Sequence, residues 1–380
     1  MRIGYDASGI LGHGGIDRYA RELMRYTVAL DTKNTYAVLT RKSCAHAIRE
    51  IVAGGHNVDV RAVLPHDMLL GPILEPITRQ IQKRVWRKTM SDVDLVHLTS
   101  QWRWLPPVNK FIVTVHDLFP LTMDDIGDAR RRVKFKRYLD TLVHRASMLL
   151  TPSHFVAETI VERYPHLASH IRITPLAAGN EFKPTPATNE LRERAGITSE
   201  SRYLLFIGRV DDRKNIERML RAFLSIPEST RANTLFVLGL SGLREDIAAF
   251  KQRNERMLRS AAIKTVYSLT TTDIVMLMSE ARAFVFASLA EGFGLPVVEA
   301  MRCGCPVLTS SLSSLPEVAG NAALLVDPYD EEAIRDAMMR LLEDDALVED
   351  LRVRGLERGK QFSWENTARL TLRAYEEAMV

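Results

Sequence analysis

Cysteine is scarce in this chain: three in 380 residues, Cys44, Cys303 and Cys305. So small and odd a number builds no disulfide framework and fits a reducing compartment. Long apolar runs are missing as well. No stretch approaches the ~20 apolar residues of a membrane span, and the opening MRIGYDASGILG lacks the basic region and apolar run of a secretory signal. The expectation is a soluble cytoplasmic protein. There is no short internal repeat, and no nucleic-acid-binding motif accompanies the basic residues, so nucleic acid is not an expected partner. The dinucleotide fingerprint G-x-G-x-x-G is absent too, and NAD binding is not read. What is present is ordinary in bulk: 46% hydrophobic and 26% charged residues, close to globular averages, in a length that suits two domains of roughly 100–200 residues each.

The net charge of +4 hides an asymmetry. Residues 1–183 carry 26 Lys and Arg against 18 Asp and Glu, and the remainder 25 against 29. Basic residues cluster at Arg79–Lys88 and Arg130–Arg137. A helix interleaving them with Trp86, or with Val133 and Phe135, would suit an anionic membrane surface; a solvated helix face is the plain alternative.

Strand-like segments at 1–7, 36–40, 58–64, 95–98, 111–116, 148–151 and 171–174 alternate with helical patterns, which predicts a parallel, doubly wound sheet. A proline-rich stretch, PLAAGNEFKPTP at 175–186, reads as an interdomain linker. A second such half follows, with strands at 203–207, 235–238, 265–267, 283–287, 306–309 and 323–326. The division expected is an N-terminal domain 1–178, a linker 179–190, a C-terminal domain 191–360, and a helix 361–380 that packs back on the N-terminal domain through Trp364 and Tyr375.

Several strand ends carry chemistry. After the first strand, Gly9, Gly12, Gly14 and Gly15 punctuate a loop before a helix, offering backbone N–H groups to an anion, although Asp17 in that helix would repel one. Asp92-Val-Asp94 matches the D-x-D pattern that holds a metal in some sugar transferases; it also reads as a cap on the strand DLVHL. His116 follows a buried-looking strand, where functional residues of open α/β sheets collect. In GRVDDRKN, Gly208 to Asn215, the cations Arg209 and Lys214 flank a loop at a strand's carboxyl end and could clamp a diphosphate. In AEGFGLPVVEAMRCGCP, Ala290 to Pro306, Glu291 and Glu299 stand eight positions apart around Gly292 and Gly294, with Pro296 suited to a helix's first turn. That spacing fits a ligand gripped at two points, or an ordinary strand-to-helix loop with one solvated and one capping carboxylate.

Together the glycine loop, His116, GRVDDRKN and the Glu291-x7-Glu299 segment resemble the family-four (group 1) retaining glycosyltransferases of GT-B fold. The similarity spans nearly the whole chain, including Ser314–Gly320 and the terminal FSWENTARL. It implies two Rossmann-like domains facing across a cleft, a nucleotide-sugar donor and a glycan or lipid-linked acceptor. It also implies site roles. Arg209 and Lys214 would neutralise the donor diphosphate, Glu291 with the N–H groups of Phe293, Gly294 and Leu295 would hold the transferred sugar, and Glu299 would take the ribose. His116 would contact the sugar from the other domain, and Gly14 and Gly15 would admit phosphates or acceptor. No metal or other cofactor is called for, because Arg and Lys take its place. Similarity to bacterial mannosyltransferases of surface polysaccharide or lipopolysaccharide makes GDP-mannose the preferred donor. A UDP-hexose donor, a nucleotide-sugar epimerase and a non-catalytic binding subunit are the alternatives. One departure is Ser268, in TVYSLTTTDI, where the family often has glycine, and it leaves the base-recognition loop open. Cys303 and Cys305 read as buried thiols acting as small apolar groups.

Overall fold

The computed structural model describes residues 1–7, 14–55, 57–64, 84–101, 108, 110–123, 129–198 and 200–379. The chain divides into two compact units, Met1–Leu176 with Ser363–Val380, and Ala177–Phe362.

The first unit is built on seven strands: β1 (Arg2–Asp6), β2 (Thr35–Arg41), β3 (Val58–Leu64), β4 (Leu95–Leu98), β5 (Phe111–Thr114), β6 (Met148–Thr151) and β7 (Ile171–Ile173). They run parallel in the order β3-β2-β1-β4-β5-β6-β7. The central strands LVHL, FIVT and MLLT are buried at every residue, as a sheet covered on both faces requires. Alternate residues feed two cores. Val96, Leu98, Phe111 and Val113 face one cluster with Trp86 and Leu139; Leu95, Ile112 and Leu150 face the other with Ile3, Tyr5, Met24 and Tyr375.

These clusters correct one expectation. Trp86 and Phe135 are 1% and 6% exposed and belong to the core, so neither is an anchor for a membrane surface. Phe135 lies on the apolar stripe it shares with Leu139 and Leu142 along the helix Ala129–Arg145, at the spacing of one helix face. Val133, Lys134, Lys136 and Arg137 are left outside. Residues 79–83 of the other basic cluster, like Gly9 and Gly12, lie outside the described residues.

The second unit holds β8 (Arg202–Arg209), β9 (Thr234–Ser241), β10 (Ile263–Tyr267), β11 (Ala283–Phe286), β12 (Val307–Ser310) and β13 (Ala323–Val326). The order is β10-β9-β8-β11-β12-β13, again parallel. The proline-rich stretch is fastened to this unit. Thr185 N–H donates to Ser279 Oγ at 3.0 Å and Ala187 N–H to Glu280 Oε1 at 2.9 Å.

The last helix, Trp364–Glu377, is capped by Ser363, whose Oγ accepts from Asn366 N–H at 3.1 Å. It belongs to the first unit and buries Trp364 and Tyr375 there. The Trp364 and Tyr19 rings lie 6.1 Å apart. Tyr375 hydroxyl meets both Tyr5 hydroxyl and His97 Nδ1, the latter at 2.8 Å.

Candidate active site

In an open parallel sheet, ligands bind beyond the carboxyl ends of the strands, where the strand order turns back on itself. In the second unit that point lies between β8 and β11. β8 leads into the turn Asp212–Lys214, and β11 into the loop that carries Glu291. At this point Lys214 Nζ and Glu291 Oε1 meet at 2.5 Å, with side chains 13% and 11% exposed. The Lys214 ammonium also lies 4.7 Å from the Phe286 ring centroid, a cation–π contact.

The turn is shaped to present Lys214. Asp211 caps it by accepting Arg213 N–H at 3.0 Å, and its carboxylate pairs with the Arg213 guanidinium at 3.1 Å. Burial works to raise the Asp211 carboxyl pKa, but the Arg213 charge and these hydrogen bonds outweigh it and hold the group below the ordinary range. Arg213 is thereby neutralised locally. Asn215 turns the chain with a left-handed backbone, φ +57°, and its Nδ2 donates to Ala287 O at 2.9 Å and Pro328 O at 2.7 Å. Leu289 N–H donates to Arg213 O at 2.7 Å. The loops after β8 and β11 are thus tied together by main-chain and amide bonds. Arg209, at the end of β8, is exposed and makes no ion pair among the described residues.

Glu291 is held from three sides. Ser288 Oγ donates to its Oε1 at 2.7 Å and to Arg213 O at 2.9 Å, sharing one proton between two acceptors. From the loop after β12, Ser313 Oγ accepts the Glu291 N–H at 3.0 Å and Ser314 Oγ donates to the Glu291 carbonyl at 2.8 Å. The second carboxylate oxygen, Oε2, has no partner among the described residues. Gly294 then starts the helix Leu295–Arg302 at φ +99°, and a Cβ there would stand 2.6 Å from Leu315 Cδ2. Both facts require glycine at this position. Pro296 occupies the helix's first turn. The N–H groups of Phe293, Gly294 and Leu295 are unpartnered among the described residues. Glu299 lies on the same helix, 5% exposed.

A cavity of about 260 Å³ opens on the far side of the turn, lined by Asp211, Asp212, Arg218 and Arg253 among others, but by neither Lys214 nor Glu291. Its charges are already engaged: Arg253 reaches Asp212 at 3.5 Å and Glu217 at 3.3 Å, Asp211 pairs with Arg213, and Arg221 with Glu331. Among the described residues of this unit, open hydrogen-bonding groups cluster at Glu291, which makes it the candidate site.

In the first unit the corresponding reversal lies between β1 and β4. Gly14 is the extended residue before the helix Gly15–Leu30, and no described atom lies within 4 Å of a Cβ built at Gly15. Neither glycine is demanded by its described neighbours. β5 ends at Thr114, two residues before His116. The His116 N–H goes to Gln101 Oε1 at 3.0 Å, and its Nε2 lies 2.9 Å from Thr99 O. A carbonyl can only accept, so Nε2 carries the proton and Nδ1 is left as an acceptor. Burial lowers the imidazole pKa to about 4 against the opposing Thr99 bond, so at neutral pH the ring is uncharged. Tyr19 packs edge-on to it at 4.7 Å. His116 is therefore equipped to accept a hydrogen bond from a hydroxyl.

Asp92 and Asp94 are both engaged by arginines. Asp92 takes both terminal Arg61 nitrogens at 2.7 Å and Arg2 at 3.0 Å, and Asp94 accepts the Arg2 N–H at 2.7 Å. Arg61, with Arg2 adding its charge, holds the Asp92 carboxyl down at about 2. Both residues precede β4, at the amino end of the sheet, away from His116. Cys303 and Cys305 are fully buried, and burial pushes the Cys303 thiol up to about 12 and Cys305 higher still. The serines and Asn215 were not singled out by sequence reasoning; Ser268, which was, holds a left-handed backbone at φ +54° where glycine would be at ease.

Comparison with known proteins bears on this arrangement. Residues 187–360 match the family described as Glycosyl transferases group 1, and residues 13–177 match Glycosyltransferase Family 4. O-antigen chain mannosyltransferase B of Escherichia coli is 34% identical over 271 residues, covering 71% of each chain. Serotype-specific mannosyltransferase WbdA of Escherichia coli is 31% identical over 276 residues, 70% of this chain but 33% of that longer protein. Among solved structures, a sucrose-phosphate synthase from Thermosynechococcus elongatus superposes with a TM-score of 0.76 at 19% identity, over 99% of this chain and 98% of that one.

Proposed function

The chain belongs to the family-four, group 1 glycosyltransferases of GT-B fold, and on that premise we propose that it is a retaining, metal-independent mannosyltransferase. GDP-mannose is the donor and a glycan or lipid-linked glycan the acceptor, in assembly of a surface polysaccharide at the cytoplasmic side of the membrane. The observation that carries the reading is the Lys214–Glu291 pair at the strand-order reversal, with one Glu291 oxygen and three successive N–H groups left open. The mannose assignment is supported by the relatives' own activity.

The chemistry follows from charge and hydrogen-bonding capacity. An ammonium has three N–H donors; Lys214 commits one to Glu291 and keeps two for a diphosphate. Arg209 adds a second, unengaged cation. As the bond from the anomeric carbon to the diphosphate oxygen breaks, the electron pair goes to that oxygen, and fixed cations beside it stabilise the developing charge. Glu291 Oε2 accepts from a sugar hydroxyl, and His116 Nδ1 from another. Glu299 accepts from the ribose, and Gly14 and Gly15 admit donor phosphates or acceptor. The acceptor hydroxyl attacks from the face the diphosphate leaves, and a donor phosphate oxygen takes its proton, so configuration is retained. Glu291 and Glu299 serve different parts of one donor, unlike the two carboxylates that flank one sugar carbon in glycosidases.

Nucleotide-dependent melting tests the donor. GDP is expected to raise the melting temperature more than UDP or ADP, because a ligand bound only by the folded state stabilises it by mass action. A larger shift with UDP would reassign the donor to a UDP-hexose. Incubation with GDP-mannose and acceptor should release GDP and form an α-linked product; a β-linked product, or a covalent glycosyl-enzyme on a carboxylate, overturns the mechanism.

Membrane contact, in this reading, is electrostatic. Lys134, Lys136 and Arg137 are exposed on the helix Ala129–Arg145, with Val133 its one large exposed hydrophobic among the described residues. Each well-placed cation adds about 1 kcal/mol near an anionic leaflet. Co-sedimentation with phosphatidylglycerol vesicles should therefore occur at low salt, vanish at roughly 0.5 M salt, where the screening length is a few ångströms, and be lost when the three residues are changed to Glu. Binding that survives salt or the substitutions removes this contact.

A further inference from the structure

Four non-glycine residues among those described have a left-handed backbone: Asn215, Asn233, Ser268 and Ser313. Asn233 precedes β9, but the other three lie beyond β8, β10 and β12, at the carboxyl end of the second sheet. Strained backbone gathers where function requires it. Asn tolerates this conformation through its short polar side chain, and serine has less reason to adopt it.

We propose that Ser313 is a positioning residue for Glu291, retained in a conformation better suited to glycine because its hydroxyl is needed there. Three contacts carry the inference, which rests on the reading of Glu291 as the sugar-gripping carboxylate. Ser313 Oγ accepts the Glu291 N–H at 3.0 Å, and the adjacent Ser314 Oγ donates to the Glu291 carbonyl at 2.8 Å. Leu315 lies against Gly294, so closely that a Cβ there would collide with it. The segment 313–315 therefore grips the Glu291–Gly294 loop at both polar groups of one peptide-bearing residue and at its closing glycine. Ser288 and Lys214 fix one carboxylate oxygen from the other side. With main chain and Oε1 both anchored, Oε2 has one direction in which to point. Removing the Ser313 hydroxyl frees the Glu291 main chain and lets the carboxylate lose its aim.

A structural role and a positioning role predict opposite results for Ser313→Gly. Glycine relieves the left-handed strain, so a purely structural role leaves activity intact. Under the proposal, Ser313→Gly melts within a few degrees of the parent, yet kcat falls about tenfold, the loss expected of one hydrogen bond that orients a reacting group. Ser313→Ala keeps the strain and loses the bond, so it melts lower with the same fall in kcat. KM for the donor and the melting shift produced by GDP, UDP or ADP stay as in the parent for both, since the nucleotide is held elsewhere. Turnover is read as nucleoside diphosphate released from GDP-mannose, UDP-glucose and ADP-glucose, each offered separately, with Glu291→Ala alongside. Parental kcat in Ser313→Gly, with Glu291→Ala inactive, overturns this inference alone. Parental turnover in Glu291→Ala, or no donor consumed by the parent, overturns the reading beneath it.

Discussion

Replacing Glu291 by alanine is expected to lower kcat by about 10²- to 10³-fold, the range found when a preorganised group at a reacting centre is removed. Lys214→Ala should do the same for a different reason. Under the proposed reading it removes a cation that stabilises the leaving group, and it leaves the Glu291 carboxylate, 11% exposed, without its counter-charge. The two effects are coupled: the side chains touch at 2.5 Å, so the double variant should cost less than the two singles together. Stability is the confounding variable, because stripping one partner from a sheltered pair strands the other charge. Glu291→Gln reduces it, since an amide oxygen can still accept from Lys214 and Ser288, although the Lys214 ammonium loses its counter-charge. At equal folded fraction its turnover should fall at least tenfold. A kcat within about threefold of the parent for either alanine variant, measured at equal folded fraction, would sink the site assignment.

Much of this site was legible before the fold was known, because its ingredients sit at strand ends and strands announce themselves by apolar runs. The glycine at 294 and the proline at 296 marked the loop and the helix start, and the Arg209 and Lys214 spacing marked a second loop. What the sequence could not show is which loops meet. Ser288, Ser313 and Ser314 converge on Glu291 from two loops, and Asn215 clasps segments 72 and 113 residues away; serines and asparagines of this kind are too common to stand out. The sequence also could not show what engages Asp92 of the D-x-D pattern, since its partners Arg61 and Arg2 are 31 and 90 residues distant. The basic cluster misled differently. Trp86 and Phe135 stand among Lys and Arg in the sequence, whereas the 135, 139, 142 spacing assigns Phe135 to the buried stripe and leaves the cations a face of their own.

The second large effect concerns acid. A buried chain of hydroxyls runs through the first unit, and its direction can be fixed from one end. Thr27 Oγ1 donates to Leu23 O at 2.7 Å, so it must accept from Tyr5, which then accepts from Tyr375. Tyr375 in turn accepts from His97 Nδ1 at 2.8 Å, leaving Nε2 to accept from Thr114 at 2.9 Å, and Thr114 to accept from Tyr19 at 2.8 Å. Every donor is used once, and the order holds only while His97 keeps a single proton. Burial lowers its pKa to about 3, helped by His116, which is itself lowered to about 4. In the unfolded chain both would titrate near 6.5. Below that pH the unfolded state takes up two protons that the folded state refuses, so stability is at its full value above about 6.5 and falls as pH drops toward 4. A group that titrates only in the unfolded state gives a slope of at most about 1.4 kcal/mol per pH unit, so the pair should remove on the order of 2 kcal/mol between pH 6 and pH 5, before most carboxylates protonate. The described tryptophans, Trp86 and Trp364, are buried in the first unit, and the other two, Trp102 and Trp104, fall within its sequence range and not within that of the second, so tryptophan fluorescence during urea unfolding reports on the first unit. His97→Gln, which can still donate and accept along the chain, should halve the slope. A first unit equally stable at pH 6.5 and pH 5 would mean that neither imidazole is held neutral in the fold.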